Sequence, residues 1–319
     1  MKANVAVLEE LNKPLEIREV EIPKLRNGDV LVKIKYAGIC GSQVNEITGV
    51  TDTSKHIPHL LGHEASGVVK DVGKGVIRFK KGDKVVGTWI KCGGLDDGPK
   101  KYGKYSAGSI TTFQDYSVIS ENRLFKINKY TRMKNAALYG CMLPTAIGTV
   151  HRYIDRGSNV LVLGAGNIGS ACLLALRDLN RYKSLYAIDT NMDRCELAKK
   201  LGAYIDIPED MVFNNIIDTT GNKDLINKYY KRLWKNGKLI LIGNCLKQDN
   251  LDINIMDTII NSKSIYGSNG GDTNILSIKG IMFRLNLGLI PIKVFKSDNV
   301  NEAIEASKTF AGKVVIKYV

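Results

Sequence analysis

Residues 159–189, NVLVLGAGNIGSACLLALRDLNRYKSLYAID, decide the fold. NVLVL is a short continuous apolar run, as expected of a parallel strand buried on both faces. GAGNIG follows at once, and residues 170–179 (SACLLALRDL) carry the apolar period of a helix. Residues 184–188 read as the next strand, with Asp189 at its end. Strand, glycine loop, helix and strand make one unit of a doubly wound α/β domain. The alternation continues with a charged helix over 192–201, stopped by Gly202. Further short apolar runs at 215–218 and 238–242 lie ahead of Gly221 and Gly243.

Each part of the loop has a physical task. Gly164 allows the tight turn, Gly166 lets the backbone approach a pyrophosphate, and Gly169 lets the helix pack closely on the sheet. Asn167 and Ile168 open that helix, whose free N–H groups and partial positive charge suit phosphate oxygens. Asp189, 20 residues beyond Gly169, can accept hydrogen bonds from both hydroxyls of a ribose and would repel a 2′-phosphate. NAD is therefore expected rather than NADP. The bland alternatives are a glycine turn in a fold that binds nothing and a helix-capping role for Asp189.

Working outward, the stretch before residue 140 is β-rich. Segments 29–37 (DVLVKIKYA) and 65–72 (ASGVVKDV) place β-branched residues between turn signals such as Gly28-Asp29 and Gly82-Asp83. Many short strands with glycine punctuation predict an antiparallel, barrel-like domain. After residue 270 come a helix-like segment, 273–287, and a terminal strand, 313–319. This tail is too short to be a domain and is expected to complete the first one. A chain of 319 residues accommodates two domains.

The six cysteines, at 40, 92, 141, 172, 195 and 245, form no CxxC pair, which argues for ligands or buried thiols rather than a disulfide framework. Two thiolates and one imidazole with an open fourth position are a catalytic zinc set. Cys40 in GICGS, His63 in LLGHE and Cys141 in YGCMLPT could supply it, although the three are far apart and any one could be simple core.

These motifs, with GAGNIG and Asp189 after them, occur in an order that resembles the zinc-dependent medium-chain dehydrogenase/reductases. These include alcohol, sorbitol, threonine and sugar-alcohol dehydrogenases, and the resemblance covers nearly the whole chain. It implies a GroES-like β-barrel catalytic domain over 1–145, completed by 271–319, and a Rossmann NAD-binding domain over 146–270 with the active site between them. By resemblance, Cys40, His63 and Cys141 match the zinc ligands and Glu64 the acid beside the metal. Ser42 matches the hydroxyl that passes the alcohol proton outward, and Thr145 the residue packed on the nicotinamide. Arg194 matches the basic residue near the adenosine ribose, and Lys313 one that approaches the pyrophosphate. The less favoured alternatives are a buried acid paired with a base for Glu64 and a turn residue for Ser42.

Three departures stand out. Asn45 replaces the histidine that often ends the proton relay, and an amide cannot take up a proton. His56 and His59 are the nearest substitutes by sequence. Gln43 replaces an acid that commonly holds the ligand histidine. The region that often carries four cysteines for a structural zinc, 91–113, contains only Cys92, so one catalytic zinc and no structural zinc is expected.

The resemblance implies hydride transfer between a nicotinamide and a secondary alcohol, polyol or sugar-derived alcohol or ketone, with zinc as Lewis acid. A zinc-free reductase of the same fold is the enzymatic alternative, against which the complete ligand set argues. With 46 Lys and Arg against 32 Asp and Glu, the formal charge is +14, but dispersed. Without clustered basic and aromatic residues it speaks for a solvated surface rather than a nucleic-acid binder. The cluster Lys100, Lys101 and Lys104 raises the option of an anionic substrate. The opening MKANVAVLEELNKP lacks a sustained apolar stretch, and the most apolar run, 160–176, is broken by three glycines, Asn167 and Ser170. A cytoplasmic protein without membrane association is expected, assembled, as the resemblance implies, as a homodimer or homotetramer.

Overall fold

The computed structural model describes residues 1–50, 56–96 and 98–319. Alternating β-branched residues build the first half around one long strand, Asp29–Gly38. It pairs antiparallel with Glu64–Val72 along one edge and with Tyr116–Ser120 and Lys313–Lys317 along the other. Lys84–Thr88 and Leu124–Lys126 extend the sheet beyond Glu64–Val72. A second sheet carries the strands Glu16–Glu21, Lys2–Leu8, His59–Leu60, Tyr105–Ser106 and Lys101–Tyr102 in that order. The first sheet buries Val30, Val32, Ile34, Val69, Val85 and Ile119 in one core together with Ala6 and Leu8 from the second and Leu61 just beyond it. At about 1.5–3 kcal/mol per fully buried aliphatic side chain, this shared core holds the barrel shut.

The terminal strand thus returns to the first sheet by pairing with Asp29–Gly38. The barrel is not purely antiparallel: Ile292–Lys296 pairs parallel to Lys313–Lys317, because the helix Val300–Thr309 makes a crossover between them. The helix expected over 273–287 is shorter, Ile275–Met282. The Asn274 side chain caps its first turn, and Ile275, Ile278 and Met282 bury against the core around the helix Met142–Tyr153.

The glycine loop belongs to a five-stranded parallel sheet. Its order is Ser184–Ile188, Asn159–Leu163, Phe213–Asp218, Leu233–Leu241 and Ser264–Gly267. Both faces of Asn159–Leu163 are covered. Val160 and Val162 join the core that holds Leu173 and Ile147, while Leu161 and Leu163 pack with Phe213 and Tyr229. Chain order reverses at Asn159–Leu163, so the loop after it sits at the switch point where such sheets bind ligands. The helix starts at Asn167, three residues earlier than its apolar period indicates, with Gly166 as its N-cap. Polar Asn167 and half-buried Ile168 form its first turn, which an apolar pattern alone cannot detect. No helix among the described residues is long and apolar enough to cross a membrane.

Candidate active site

Three separate elements bring the proposed ligands together. Cys40 ends the stretch after Asp29–Gly38 and caps the helix Gly41–Ile47, where its N–H donates to Gln43 Oε1 at 3.0 Å. His63 lies between His59–Leu60 and Glu64–Val72. Cys141 caps the helix Met142–Tyr153 and accepts at its carbonyl from the Thr145 N–H. Gly140 makes this approach possible, since a Cβ there would fall 2.5 Å from the Gly87 carbonyl oxygen and 2.7 Å from Glu64 Cβ.

The ligand atoms of Cys40, His63 and Cys141 all lie within 4.8 Å of one another. A tetrahedral zinc with ordinary bond lengths spans about 3.5–3.8 Å between such ligands, so a slight contraction would close the set around it. The donors fit the ion: His63 Nε2 is buried without a partner, while its Nδ1 meets the Gln43 amide at 2.5 Å. Gln43 thus orients the imidazole without charge. The two sulfurs act on each other: the hydrogen bond from Cys141 holds Cys40 well below the usual thiol range, and the same contact with burial pushes Cys141 well above it. Burial works to lower the His63 imidazole, but the Cys40 sulfur raises it overall. Cys92 lies apart as a buried thiol pushed up to about 11 by desolvation.

Lys313 departs from its expected place. It is fully buried and ion-paired with Glu64 Oε1, rather than lining the groove at the glycine loop. The terminal strand carries it beneath the ligands, so two residues assigned separately form one buried pair. Gly38 leaves room for the carboxylate, since a Cβ there would meet Glu64 Cδ at 2.7 Å. Breaking a buried pair on one side is costly, so Lys313→Met is expected to lose about 3–5 kcal/mol of stability. Urea unfolding should show this, with partial recovery in the double variant with Glu64→Gln; an unchanged midpoint for the single variant would refute it.

Lys100 departs as well. It is buried, pairs with Asp29 Oδ1 at 2.5 Å and donates to Ser120 Oγ at 3.1 Å, so it braces the barrel. Lys101 and Lys104 are exposed on the same hairpin, and none of the three lines the cavities below.

A groove of about 640 Å³ at the glycine loop is lined by Gly164, Gly166, Asn167, Ile168, Asp189 and Arg194 among others. Gly164 has φ +85°, and Gly169 sits so close to Gly164 that a Cβ would lie 1.9 Å from its carbonyl oxygen. At Gly166 the protein leaves open space, with Arg194 the nearest group to an added Cβ at 3.9 Å. That opening is what a backbone awaiting a pyrophosphate requires. Asp189 accepts from the N–H groups of Ala165 and Asn191 at 2.8 and 2.9 Å, which fixes its carboxylate at the groove. Arg194 reaches Asp189 at 3.9 Å and donates to the Lys308 carbonyl at 2.6 Å.

A second cavity of about 550 Å³ adjoins it. Cys40, Ser42, His63, Cys141 and Thr145 line it, with Trp89, Glu46 and Ser268. Thr145 Oγ1 is buried there without a partner. Asn45 lies on both cavities, whereas His56 and His59 line a smaller cavity on the other side of Gln43 and His63. Trp89 carried no motif and was not singled out from the sequence; its indole N–H donates to Cys141 Sγ at 3.3 Å.

The chain matches the alcohol dehydrogenase GroES-like domain over residues 26–129 and the zinc-binding dehydrogenase domain over 168–283. It is 33% identical over 235 residues to S-(hydroxymethyl)glutathione dehydrogenase of Synechocystis sp., a match covering 64% of this chain and 63% of that protein. The chain therefore spans under two thirds of the length of the curated relatives it matches. In fold it is similar to benzyl alcohol dehydrogenase from Acinetobacter calcoaceticus, with TM-score 0.87, 21% identity and full coverage of both chains. It is similar as well to 2R,3R-butanediol dehydrogenase from Bacillus subtilis, with TM-score 0.81, 22% identity and coverage of 99% and 100%. A GroES-like domain joined to a Rossmann-like one, with a clustered Cys40, His63 and Cys141, places this chain in the zinc-type medium-chain dehydrogenase family of alcohol dehydrogenase-like oxidoreductases.

Proposed function

We propose that this chain is a zinc- and NAD-dependent dehydrogenase, transferring a hydride between NAD(H) and a secondary alcohol, polyol or sugar-derived alcohol or ketone. The observation that carries this reading is the meeting of the two cavities. Cys40, Gly41, Asn45, Ile168, Thr219 and Thr220 line both, so a dinucleotide on the glycine loop would extend toward the metal ligands. Cys40, His63 and Cys141 would hold one zinc, which supplies Lewis acidity to the substrate oxygen. NAD supplies the hydride acceptor, and the protein sets distance and orientation.

The chain's own residues divide the remaining work. Ser42 Oγ, beside Cys40, accepts from Gln43 Nε2 at 3.4 Å and keeps its own proton to pass on. Thr145 offers its unpartnered hydroxyl to the nicotinamide end. Asn167 Nδ2 donates to the Ile39 carbonyl at 3.3 Å and ties the nucleotide helix to the segment bearing Cys40. Glu46 is the charged side chain on the substrate cavity among the described residues, apart from the ligand set. With no lysine or arginine there, a neutral, hydroxylated substrate is favoured over an anionic one. Assembly through the parallel sheet is supported by its terminal strand Ser264–Gly267 and by exposed Ile255, Met256, Ile259 and Ile260 beside it.

A screen of NAD reduction against alcohols, polyols and their phosphates, with zinc present, tests the activity. NAD should exceed NADP in kcat/KM by at least about tenfold. Losing one charge-assisted hydrogen bond at Asp189, about 1.5–3 kcal/mol, already outweighs the 1.4 kcal/mol of one decade. Thr190 and Asn191 offer no compensating charge. A clear NADP preference would show that Arg194 turns to a 2′-phosphate instead.

A further inference from the structure

We propose that Trp89 is a positioning residue for the metal: its indole N–H donates to the Cys141 sulfur and holds that ligand's electron density back from the ion. The inference rests on the zinc reading above. The N–H lies 3.3 Å from Cys141 Sγ. Indole nitrogen is a donor only, so the bond has one direction. A thiolate that shares its lone pair with an N–H gives less charge to its metal, and such outer partners tune affinity and acidity.

The backbone that carries the ring is anchored on both sides, and the ring itself packs against two neighbours. Arg123 donates to the Trp89 carbonyl, and the next N–H, of Ile90, donates to Thr88 Oγ1 at 3.0 Å. The indole meets His63 edge-on, with ring centres 6.4 Å apart and planes at 66°. Gly270, with φ +63°, comes so near that a Cβ would fall 2.9 Å from Trp89 Cζ2. Gly270 belongs to the loop after the terminal strand of the parallel sheet, so the indole is clamped between the two halves of the cleft while touching two of the three ligands. The two outer contacts act in the same direction. Gln43 supplies no charge to His63, so the imidazole lacks the carboxylate that would strengthen its donation. A thiolate partly occupied by Trp89 lowers donation further, and the pair leaves the ion more electron-poor. A purely packing role for the ring would give none of this.

The test separates ring from donor. In the cobalt(II)-loaded full-length protein, Trp89→Phe should move the sulfur-to-cobalt charge-transfer band to lower energy while cobalt stoichiometry stays at one. Turnover with zinc should fall about 10–100-fold. The wild-type chain offers a measurement that needs no stable variant. Loaded with cadmium-113, its Trp89 indole proton should show scalar coupling to the metal through the sulfur, assigned against Trp234→Phe. An unmoved band in a metal-replete Trp89→Phe, or absence of coupling in the cadmium protein, overturns the inference alone. A wild-type chain that holds neither ion overturns the zinc reading and this inference with it.

Discussion

Cys141→Ser is expected to strip the protein of zinc and to slow alcohol oxidation by about 10³-fold or more. A Lewis acid supplies several kcal/mol to the charged transition state, and each 1.36 kcal/mol is a factor of ten. Serine keeps the volume and the capping position at the start of Met142–Tyr153, so the fold should survive. What is lost is a soft anionic ligand, because a hydroxyl does not ionise under these conditions as a metal-bound thiol does. Elemental analysis should give one zinc per wild-type chain and well under one in the variant. Cys141→Ser with full zinc and full turnover would defeat the ligand assignment. Two tightly held zincs in the wild type would contradict a chain whose 91–113 region offers only Cys92.

Ser42→Ala should reduce oxidation by about 10²–10⁴-fold, the usual scale for a positioned proton-transfer group. Asn45 borders the same cavity but cannot titrate, so the proton from Ser42 should leave by the cofactor ribose and water. His56 and His59 were the sequence-level substitutes, yet both line the smaller cavity behind Gln43 and His63. His59 faces Glu46 Oε2 at 3.6 Å there. His56→Ala and His59→Ala should therefore change turnover only a few-fold. A fall comparable to Ser42→Ala in either, with zinc intact, would show a recruited histidine. A few-fold effect at Ser42 would remove that residue from the relay.

Much of the fold was legible because it is written in local pattern. Residues 159–163 and 184–188 coincide with the observed strands; the first is a run buried on both faces, which needs no partner to be recognised. Gly166 and Gly169 were readable because each answers a steric demand made by its own loop. Helix starts were less legible: the first turn at Asn167 is polar and half-buried, so the apolar period begins too late.

The sequence by itself therefore determined the parallel α/β unit and the glycine loop followed by Asp189, and its family resemblance named three candidate ligands. Only the tertiary structure decided which distant side chains meet. Cys40, His63 and Cys141 stand 23 and 78 residues apart, and nothing in that spacing places them within 4.8 Å. The terminal strand carried Lys313 to Glu64 instead of the groove, and the packing of the Lys101–Ser106 hairpin on the barrel buried Lys100 beside Asp29. Trp89 had no motif, and its bond to Cys141 arises from the meeting of Lys84–Thr88 with the loop before Met142–Tyr153. The reason is physical: hydrophobic period and turn chemistry act over a few residues, whereas pairing register and core packing fix which side of a strand faces which neighbour.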